Sequence, residues 1–209
     1  MSNSKLPIIF ILDMDKCIIG NSIFLRILNK KPISSPYFIR PFFKEFINIF
    51  KNYNIKFFIF SFGDKSYVEN MIKYIEETIE FKFNRPLFTR ENKIIKDIDD
   101  IKEYIIKSLK SNYSPLELET IFNYRLIIID DNKIFWFPNH PQLLICNPYE
   151  YTLIPHKIRN SKIIIPYLLK NNEVIKDDFF KSLINLIKPR LKLQKPFTPK
   201  FITYLNKSF

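Results

Sequence analysis

A run of apolar residues that ends in two carboxylates is the feature that most restricts the fold of this chain. Five apolar residues, Ile8 to Leu12, lead directly into Asp13, Met14 and Asp15. A short run that is rich in β-branched residues is typical of a buried parallel strand. Ligands bind at the carboxyl ends of strands in open parallel sheets, so the two aspartates indicate a site. The alternative is that they only cap the turn after the strand.

Two later apolar segments also end in polar side chains. The segment 55–60 leads into Ser61, and the segment 125–129 leads into Asp130 and Asp131. Because the carboxyl ends of parallel strands meet at one edge of a sheet, these side chains should lie close to the two aspartates of the first strand. Carboxylates gathered at one edge suit a hard cation such as Mg²⁺. The recurrence therefore favours a site over a simple cap.

Amphipathic segments alternate with the predicted strands. We predict helices after Arg40-Pro41, from Ser66 to Glu77, across 98–122 and near 177–188, and a further strand at 142–147. Alternation of strands and helices is the pattern of a parallel sheet with right-handed crossovers. The sequence therefore predicts an α/β fold.

The composition excludes several classes of site. Only 2 of the 209 residues are glycine, which is too few for a glycine-rich nucleotide loop. The 2 cysteines and 2 histidines do not form a zinc pattern, and Cys17 and Cys146 are expected to be buried. The residues before the first strand lack the apolar region of a signal peptide, and no run reaches the roughly 18 apolar residues of a membrane span. We expect a soluble protein of the nucleus or cytoplasm that does not bind membranes.

The net charge of +12 leaves several acidic partners open. A basic surface is typical of proteins that bind nucleic acid or phosphorylated proteins. The abundance of lysine and asparagine also fits an AT-rich genome, which would raise the charge without a functional cause. Residues 189–209 are expected to form a basic C-terminal tail that is solvated or docks a partner.

Several short motifs, taken in order, resemble those of one phosphatase family. They are D-M-D at 13–15, R-P at 40–41, S-F-G-D-K-S-Y-V at 61–68, L-F-T-R-E at 87–91, K-D-I at 96–98, I-I-D-D-N-K-I-F-W at 128–136 and N-P-Y-E-Y at 147–151. The set resembles the haloacid-dehalogenase-type phosphatases. It is most similar to the phosphatases of the RNA polymerase II C-terminal domain, the family that includes the transcription factor IIF-associated, the small and the NLI-interacting-factor-like members.

The resemblance implies a fold and a domain organisation. The fold would be a three-layer, Rossmann-like parallel sheet with helices on both faces and no large cap. A phosphatase domain would span 1–188, with a helical insertion at 98–123 between the third and fourth motifs. An open site without a cap suits a peptide substrate better than a metabolite.

The resemblance also implies roles for four site residues. Asp13 would attack the phosphorus and become an aspartyl-phosphate. Asp15 would act as the general acid and then as the general base. Ser61 would bind phosphoryl oxygens, and Lys96 would offset their negative charge. Lys93 is the competing choice for this lysine, and a solvated surface position is the alternative for Lys96.

Metal and substrate contacts follow from the same resemblance. The implied Mg²⁺ ligands are Asp13, Asp15, Asp130 and Asp131. The implied substrate contacts are Ser61, Lys65, Arg90 and Trp136. Two alternatives stay open, because Asp131 could cap the next turn and Trp136 could belong to the core.

The function implied is that of a Mg²⁺-dependent protein serine/threonine phosphatase. Its substrate would be a phosphorylated protein or peptide such as the polymerase tail, and its partners would include the transcription machinery. Two departures from the family pattern are Cys17, where threonine is usual, and Asn132, where arginine or serine is usual. The alternatives are a scaffold or binding subunit with a vestigial fold, and a phosphatase for nucleic-acid ends that uses the basic surface.

Overall fold

The centre of the fold is a parallel sheet of four strands. The computed structural model describes residues 6–21, 37–90, 96–136, 140–149, 167–170 and 173–209. Its strands are β1 (Ile8–Leu12), β2 (Ile19–Asn21), β3 (Tyr37–Ile39), β4 (Ile55–Ile59), β5 (Leu126–Asp130), β6 (Leu143–Ile145), β7 (Tyr167–Lys170) and β8 (Glu173–Lys176). The central sheet has the order β4-β1-β5-β6, and all three of its pairings are parallel. The two other pairs, β2 with β3 and β7 with β8, are antiparallel.

Helices cover both faces of the central sheet. They are α1 (Phe43–Phe50), α2 (Lys65–Ile79), α3 (Ile98–Leu109), α4 (Pro115–Tyr124), α5 (Phe179–Lys192) and α6 (Pro199–Ser208). Successive side chains of a strand point to opposite faces, so Phe10 and Leu12 pack with α1, α2, α5 and α6, whereas Ile9 and Ile11 pack with α3 and α4. The structure therefore has three layers, which confirms the predicted α/β fold with helices on both faces.

The expected helical insertion at 98–123 forms one of these layers. Helix α4 begins with a capping box, in which the Ser114 hydroxyl accepts a hydrogen bond from the Glu117 amide and the Glu117 carboxylate accepts one from the Ser114 amide. Ile101, Ile105 and Ile121 are fully buried against the sheet. These two helices thus complete the core, and a contact with a partner or substrate stays a prediction.

Residues 189–209 pack against the core, so they are not the solvated tail that was one of the two expectations, and docking of a partner stays a prediction. They contain the end of α5 and the whole of α6, which the side chain of Thr198 caps. Phe197, Ile202 and Leu205 are buried in the same cluster as α1 and α5. The basic residues of this segment lie on the outside of a helix whose apolar stripe faces the core.

The other predicted elements are present with shifted ends. The first helix begins at Phe43, because Pro41 lies in the turn that precedes it. The predicted irregular stretch between the first strand and this helix contains β2 and β3, and residues 22–36 lie outside the described ranges. Within the described part of the chain, no helix combines the length and the apolar character that crossing a membrane requires.

Candidate active site

The first two aspartates occupy the loop that leaves β1. Asp13 follows the strand directly, and its amide donates a hydrogen bond to the Ile129 carbonyl at 2.9 Å. This bond continues the pairing with β5 and fixes the backbone of a side chain that is only 7% exposed. Asp15 is less buried, and its Oδ1 atom accepts a hydrogen bond of 2.5 Å from the Tyr67 hydroxyl. The two carboxylates therefore stand in different environments although they are two residues apart.

Ser61 follows β4 at the same edge of the sheet. Its amide donates to the Phe88 carbonyl at 3.0 Å, and its hydroxyl accepts a hydrogen bond of 3.1 Å from the Gly63 amide. A side chain at Gly63 would come within 2.7 Å of the Tyr67 ring, so the turn needs glycine at this position. The buried Ser61 hydroxyl and the turn at Gly63 therefore lie in the same cavity as Asp13 and Asp15.

Asp130 is the last residue of β5, and two neighbours fix its orientation. Its Oδ1 atom accepts a hydrogen bond of 2.8 Å from the Asn132 amide, and its Oδ2 atom accepts one of 2.8 Å from Trp136 Nε1. Trp136 is only 3% exposed. The indole is therefore a buried support for Asp130, which agrees with the alternative that Trp136 belongs to the core.

The side chain of Lys96 links the ends of β1 and β5 at this edge of the sheet. Its Nζ atom donates to Asp13 Oδ1 at 2.7 Å and also to Asp130 Oδ2. The ammonium lies 5.3 to 5.8 Å from the ring centres of Phe60, Phe62 and Trp136, and the side chain is 2% exposed. Such a lysine is not a solvated surface residue. Lys93, its competitor, lies outside the described residues.

Three carboxylates crowd around this one ammonium. Oxygen atoms of Asp13, Asp130 and Asp131 lie within 4.8 Å of one another. Burial raises the pKa of Asp13 well above its usual range; Lys96 opposes the shift, and Asp130 adds to it. Burial, followed by repulsion from Asp130, raises the pKa of Asp131. Burial alone would lower the pKa of Lys96, but attraction to Asp13 and Asp130 raises it.

The donor set suits a hard divalent cation. Mg²⁺ prefers oxygen ligands, and it is commonly held by one or two carboxylates with waters and a phosphate. Three carboxylates lie together here, and Lys96 supplies a single ammonium that contacts two of them. The carboxylate of Asp15 is not in this group of three but contacts Tyr67. The residues present therefore fit Mg²⁺, with Asp13, Asp130 and Asp131 as the carboxylate ligands.

An open cavity of about 370 Å³ contains most of the predicted site residues. Its walls are Asp13, Asp15, Lys16, Ser61, Phe62, Gly63, Arg90, Lys96, Asp130, Asp131, Asn132 and Phe135. Arg90 is exposed at the mouth, where its Nε atom donates to the Phe62 carbonyl at 3.0 Å. Of the predicted substrate contacts, Lys65 and Trp136 are not brought to this cavity. Lys65 lies in a neighbouring groove between α2 and the segment 82–89.

Some residues of the site had no predicted role. Tyr67 binds Asp15, and the rings of Phe62 and Phe135 meet edge to face with centres 4.9 Å apart. Tyr67 falls within the S-F-G-D-K-S-Y-V motif, three residues after the turn, which was the available clue. No sequence pattern distinguishes Phe62 or Phe135 from the other 20 phenylalanines.

A buried ion pair supports the loop from the side of the core. Arg40 Nε contacts both carboxylate oxygens of Asp177 at 2.9 and 3.1 Å, and Nη1 donates to the Cys17 carbonyl at 3.3 Å. Cys17 and Cys146 are both buried and free, as predicted, and burial raises the pKa of the Cys17 thiol. Arg40 therefore ties the loop after Asp15 to the start of α5.

Comparison with solved structures finds distant similarity. Two solved structures are similar in shape but distant in sequence. The structure of Fcp1, an essential RNA polymerase II CTD phosphatase, has 17% identity and a TM-score of 0.49 over 90% of this chain and 50% of that one. A fission yeast Fcp1 variant bound to beryllium fluoride has 15% identity and a TM-score of 0.48 over 90% and 52% of the two chains. This chain thus spans about half the length of those proteins.

No curated protein sequence matches the chain significantly. The family model for NLI interacting factor-like phosphatases matches residues 8–179, which include β1, the aspartate loop, Ser61, Lys96 and Asp130. This match covers well over half of the chain and confirms the resemblance inferred from the motifs. The chain belongs to the NLI interacting factor-like phosphatase family.

Proposed function

We propose that the protein is a Mg²⁺-dependent phosphatase of phosphoserine and phosphothreonine in proteins. The observation that carries the proposal is the buried Lys96 ammonium, which contacts both Asp13 and Asp130 at the floor of an open cavity. Burying an ammonium between carboxylates of two strands carries a desolvation cost, so a gain in stability is a weak explanation for this arrangement. The cavity combines this cation with a buried hydroxyl and a second carboxylate, which together suit phosphoryl transfer.

Asp13 is the proposed nucleophile. One of its oxygens would attack the phosphorus as the bond to the serine or threonine oxygen breaks, which leaves the phosphoryl group on Asp13. Asp15 would give its proton to the leaving oxygen and would then take a proton from the water that hydrolyses the aspartyl-phosphate. The hydrogen bond from Tyr67 would hold Asp15 at the mouth of the cavity for both steps.

The remaining groups would stabilise negative charge. Ser61 and Lys96 would donate hydrogen bonds to phosphoryl oxygens and to Asp13, in a cavity where charges are weakly screened. Asp13, Asp130 and Asp131 would hold Mg²⁺, whose charge would stabilise the transferring phosphoryl group. Arg90, at the mouth, is the proposed contact for the peptide around the phosphate.

The test is release of phosphate from p-nitrophenyl phosphate in the presence of Mg²⁺. The wild-type protein is expected to turn over, and Asp13→Asn is expected to lose at least about 10³-fold in kcat/KM, as is common when a nucleophile is removed. In Asp15→Asn the intermediate should accumulate and be visible by mass spectrometry of acid-quenched protein. Equal turnover by the wild type and Asp13→Asn would contradict the proposal.

We further propose that phosphorylated repeats of an RNA polymerase tail are a substrate, and that the protein works with the transcription machinery in the nucleus or cytoplasm. The motif resemblance and the family membership support this choice. A phosphorylated repeat peptide should be hydrolysed with a higher kcat/KM than the same residues in shuffled order. A higher kcat/KM for 5′-phosphorylated oligonucleotides than for either peptide would contradict it.

A further inference from the structure

A second groove continues from the catalytic cavity along the surface. A phosphorylated residue is only part of a peptide, so a peptide substrate whose phosphate lies in the cavity must extend beyond it. The adjoining groove has a volume of about 500 Å³ and shares two wall residues with the cavity, Asp131 and Asn132. The groove therefore lies directly beside the cavity, within reach of residues that flank a phosphate placed at Asp13.

The walls of this groove are neutral overall and partly apolar. Besides the two shared residues they are Lys133, Ile134, Ile145, Asn147, Asn206 and Phe209. The side-chain charges of Asp131 and Lys133 cancel, three residues are asparagines, and the other three are apolar. Ile134 is 81% exposed, the highest value among the large apolar side chains that the structure describes. An exposed apolar side chain at the edge of a charged cavity suits contact with an apolar group of the ligand.

Helix α6 supplies one wall and lies outside the family match. The match ends at residue 179, whereas Asn206 and Phe209 come from α6 and the residue that follows it. Asn206 is fixed against β6, because its Oδ1 atom accepts a hydrogen bond from the Ile145 amide at 2.7 Å and its Nδ2 atom donates to the Leu143 carbonyl at 2.9 Å. This part of the chain is thus a positioned wall of the groove rather than a tail.

The Asn206 amide also limits how a peptide can bind. Peptides often bind a sheet edge by adding a strand to its free backbone groups. Asn206 already bonds the outward groups of β6 at Leu143 and Ile145. Strand addition at these two groups is therefore blocked, and Ile134, Ile145 and Phe209 form an apolar surface that can contact a side chain of the ligand.

We infer that this groove binds a residue next to the phosphorylated serine or threonine and selects an apolar side chain at that position. The inference rests on the proposed phosphatase function. It assigns to α6 a part in substrate selection, and it makes Ile134 a specificity-determining residue that does not touch the reacting atoms.

The test compares matched phosphoserine peptides and one small substrate. Peptides with leucine or aspartate next to the phosphoserine, on either side, are assayed with the wild type, Ile134→Ser and Leu116→Ser. On one side of the phosphoserine, the wild type should prefer leucine by about tenfold in kcat/KM, the scale on which apolar pockets discriminate. Ile134→Ser should reduce that preference severalfold and leave p-nitrophenyl phosphate turnover as it was. Leu116, which is 72% exposed on α4, is the matched control and should change neither activity.

The contradicting outcomes separate the two proposals. Turnover of p-nitrophenyl phosphate without a preference for leucine peptides would contradict the proposed selectivity of the groove but not the proposed phosphatase activity. An equal loss of both activities in Ile134→Ser would also overturn selection by the groove. A change of sedimentation in Ile134→Ser without a change in peptide preference would make the groove a contact between copies of the chain. Absence of any turnover by the wild type would overturn the phosphatase proposal, and the groove proposal with it.

Discussion

Asp13 and Glu76 are both buried carboxylates in contact with a basic side chain, yet their surroundings shift their pKa values in opposite directions. Around Asp13, three carboxylates lie together, the ammonium of Lys96 contacts two of them, and burial and repulsion raise the pKa of Asp13. Glu76 by itself accepts hydrogen bonds from Arg85, Lys82 and the Phe83 amide at 2.8 to 3.2 Å. Burial alone would raise the pKa of Glu76, but these donors outweigh it and lower the pKa.

The difference separates a structural ion pair from a site that is prepared for a ligand. Glu76 fastens α2 to the segment that follows it, and its oxygens are fully used by the protein's own donors. The cluster at Asp13 brings three carboxylates together with one ammonium, so added positive charge is expected to stabilise its ionised form. Stability should therefore depend on Glu76, and ligand binding and turnover on the cluster at Asp13.

The largest expected effect comes from removing the ammonium of the site. Lys96→Met keeps an unbranched side chain, one atom shorter, but leaves the carboxylates without their cation. Turnover of p-nitrophenyl phosphate should fall by about 10³-fold, the scale for loss of one buried charge donor. Lys107→Met, at an exposed lysine of α3, is the control. If both variants kept wild-type kcat/KM, Lys96 would have no part in turnover.

Glu76→Gln should affect stability and not turnover. Removing a buried carboxylate that binds two cations and an amide is expected to lower the free energy of unfolding by about 2 kcal/mol, since hydrogen bonds to charged groups are worth about 1.5–3 kcal/mol. Urea unfolding measures the loss, and kcat of the folded protein should stay at the wild-type value. A fall in kcat with unchanged stability would reverse the distinction between the two regions.

The pH dependence of unfolding should also depend on Glu76. The pKa of Glu76 is lowered in the folded state, so its ionised carboxylate adds to the free energy of unfolding. This contribution is complete above the pKa of an unfolded glutamate, about 4.3, and is lost as the pH falls through the lower pKa of the folded state. The unfolding free energies of the wild type and Glu76→Gln should therefore converge in acid. Two curves that stay parallel down to the lowest pH would show that Glu76 is not linked to acid unfolding.

The smallest expected effect has the opposite sign. The pKa of Asp131 is raised in the folded state, so its ionised carboxylate lowers the free energy of unfolding at neutral pH. This loss of stability disappears in acid, where the carboxyl group is protonated in both states. Asp131→Asn should raise the free energy of unfolding in EDTA by about 0.5 kcal/mol, a small value because this side chain is half-buried and screened by solvent. A loss of stability like that of Glu76→Gln would mean that the site is already balanced in charge.

The strands and the strand-end residues of the site could be predicted from the sequence because they follow a local rule. A buried strand needs a short apolar run, and the polar residue after it is placed by the sheet, so Asp13, Ser61 and Asp130 come together without further information. Helix α6 was missed because Pro196 and Pro199 suggest an irregular tail. Pro199 instead lies in the first turn of the helix, where its missing amide hydrogen costs nothing.

Other features depend on how distant segments meet. Whether Trp136 lines the cavity or supports Asp130 is decided by the turn that follows β5. Lys65 misses the cavity because the direction of α2 places it in the neighbouring groove. The Glu76 cluster depends on the path of the chain from Glu80 to Arg85, which brings side chains nine residues apart into contact. No local pattern in the sequence carries that information.

The most direct test of the charge imbalance at Asp13 is the effect of Mg²⁺ on the melting temperature. A ligand that binds only the folded state stabilises it. Mg²⁺ should raise the melting temperatures of the wild type and Glu76→Gln by similar amounts, and it should not raise that of the double variant Asp13→Asn/Asp130→Asn. An equal rise in the double variant, or no rise in the wild type, would contradict the claim that these carboxylates are short of positive charge and take it from a metal ion.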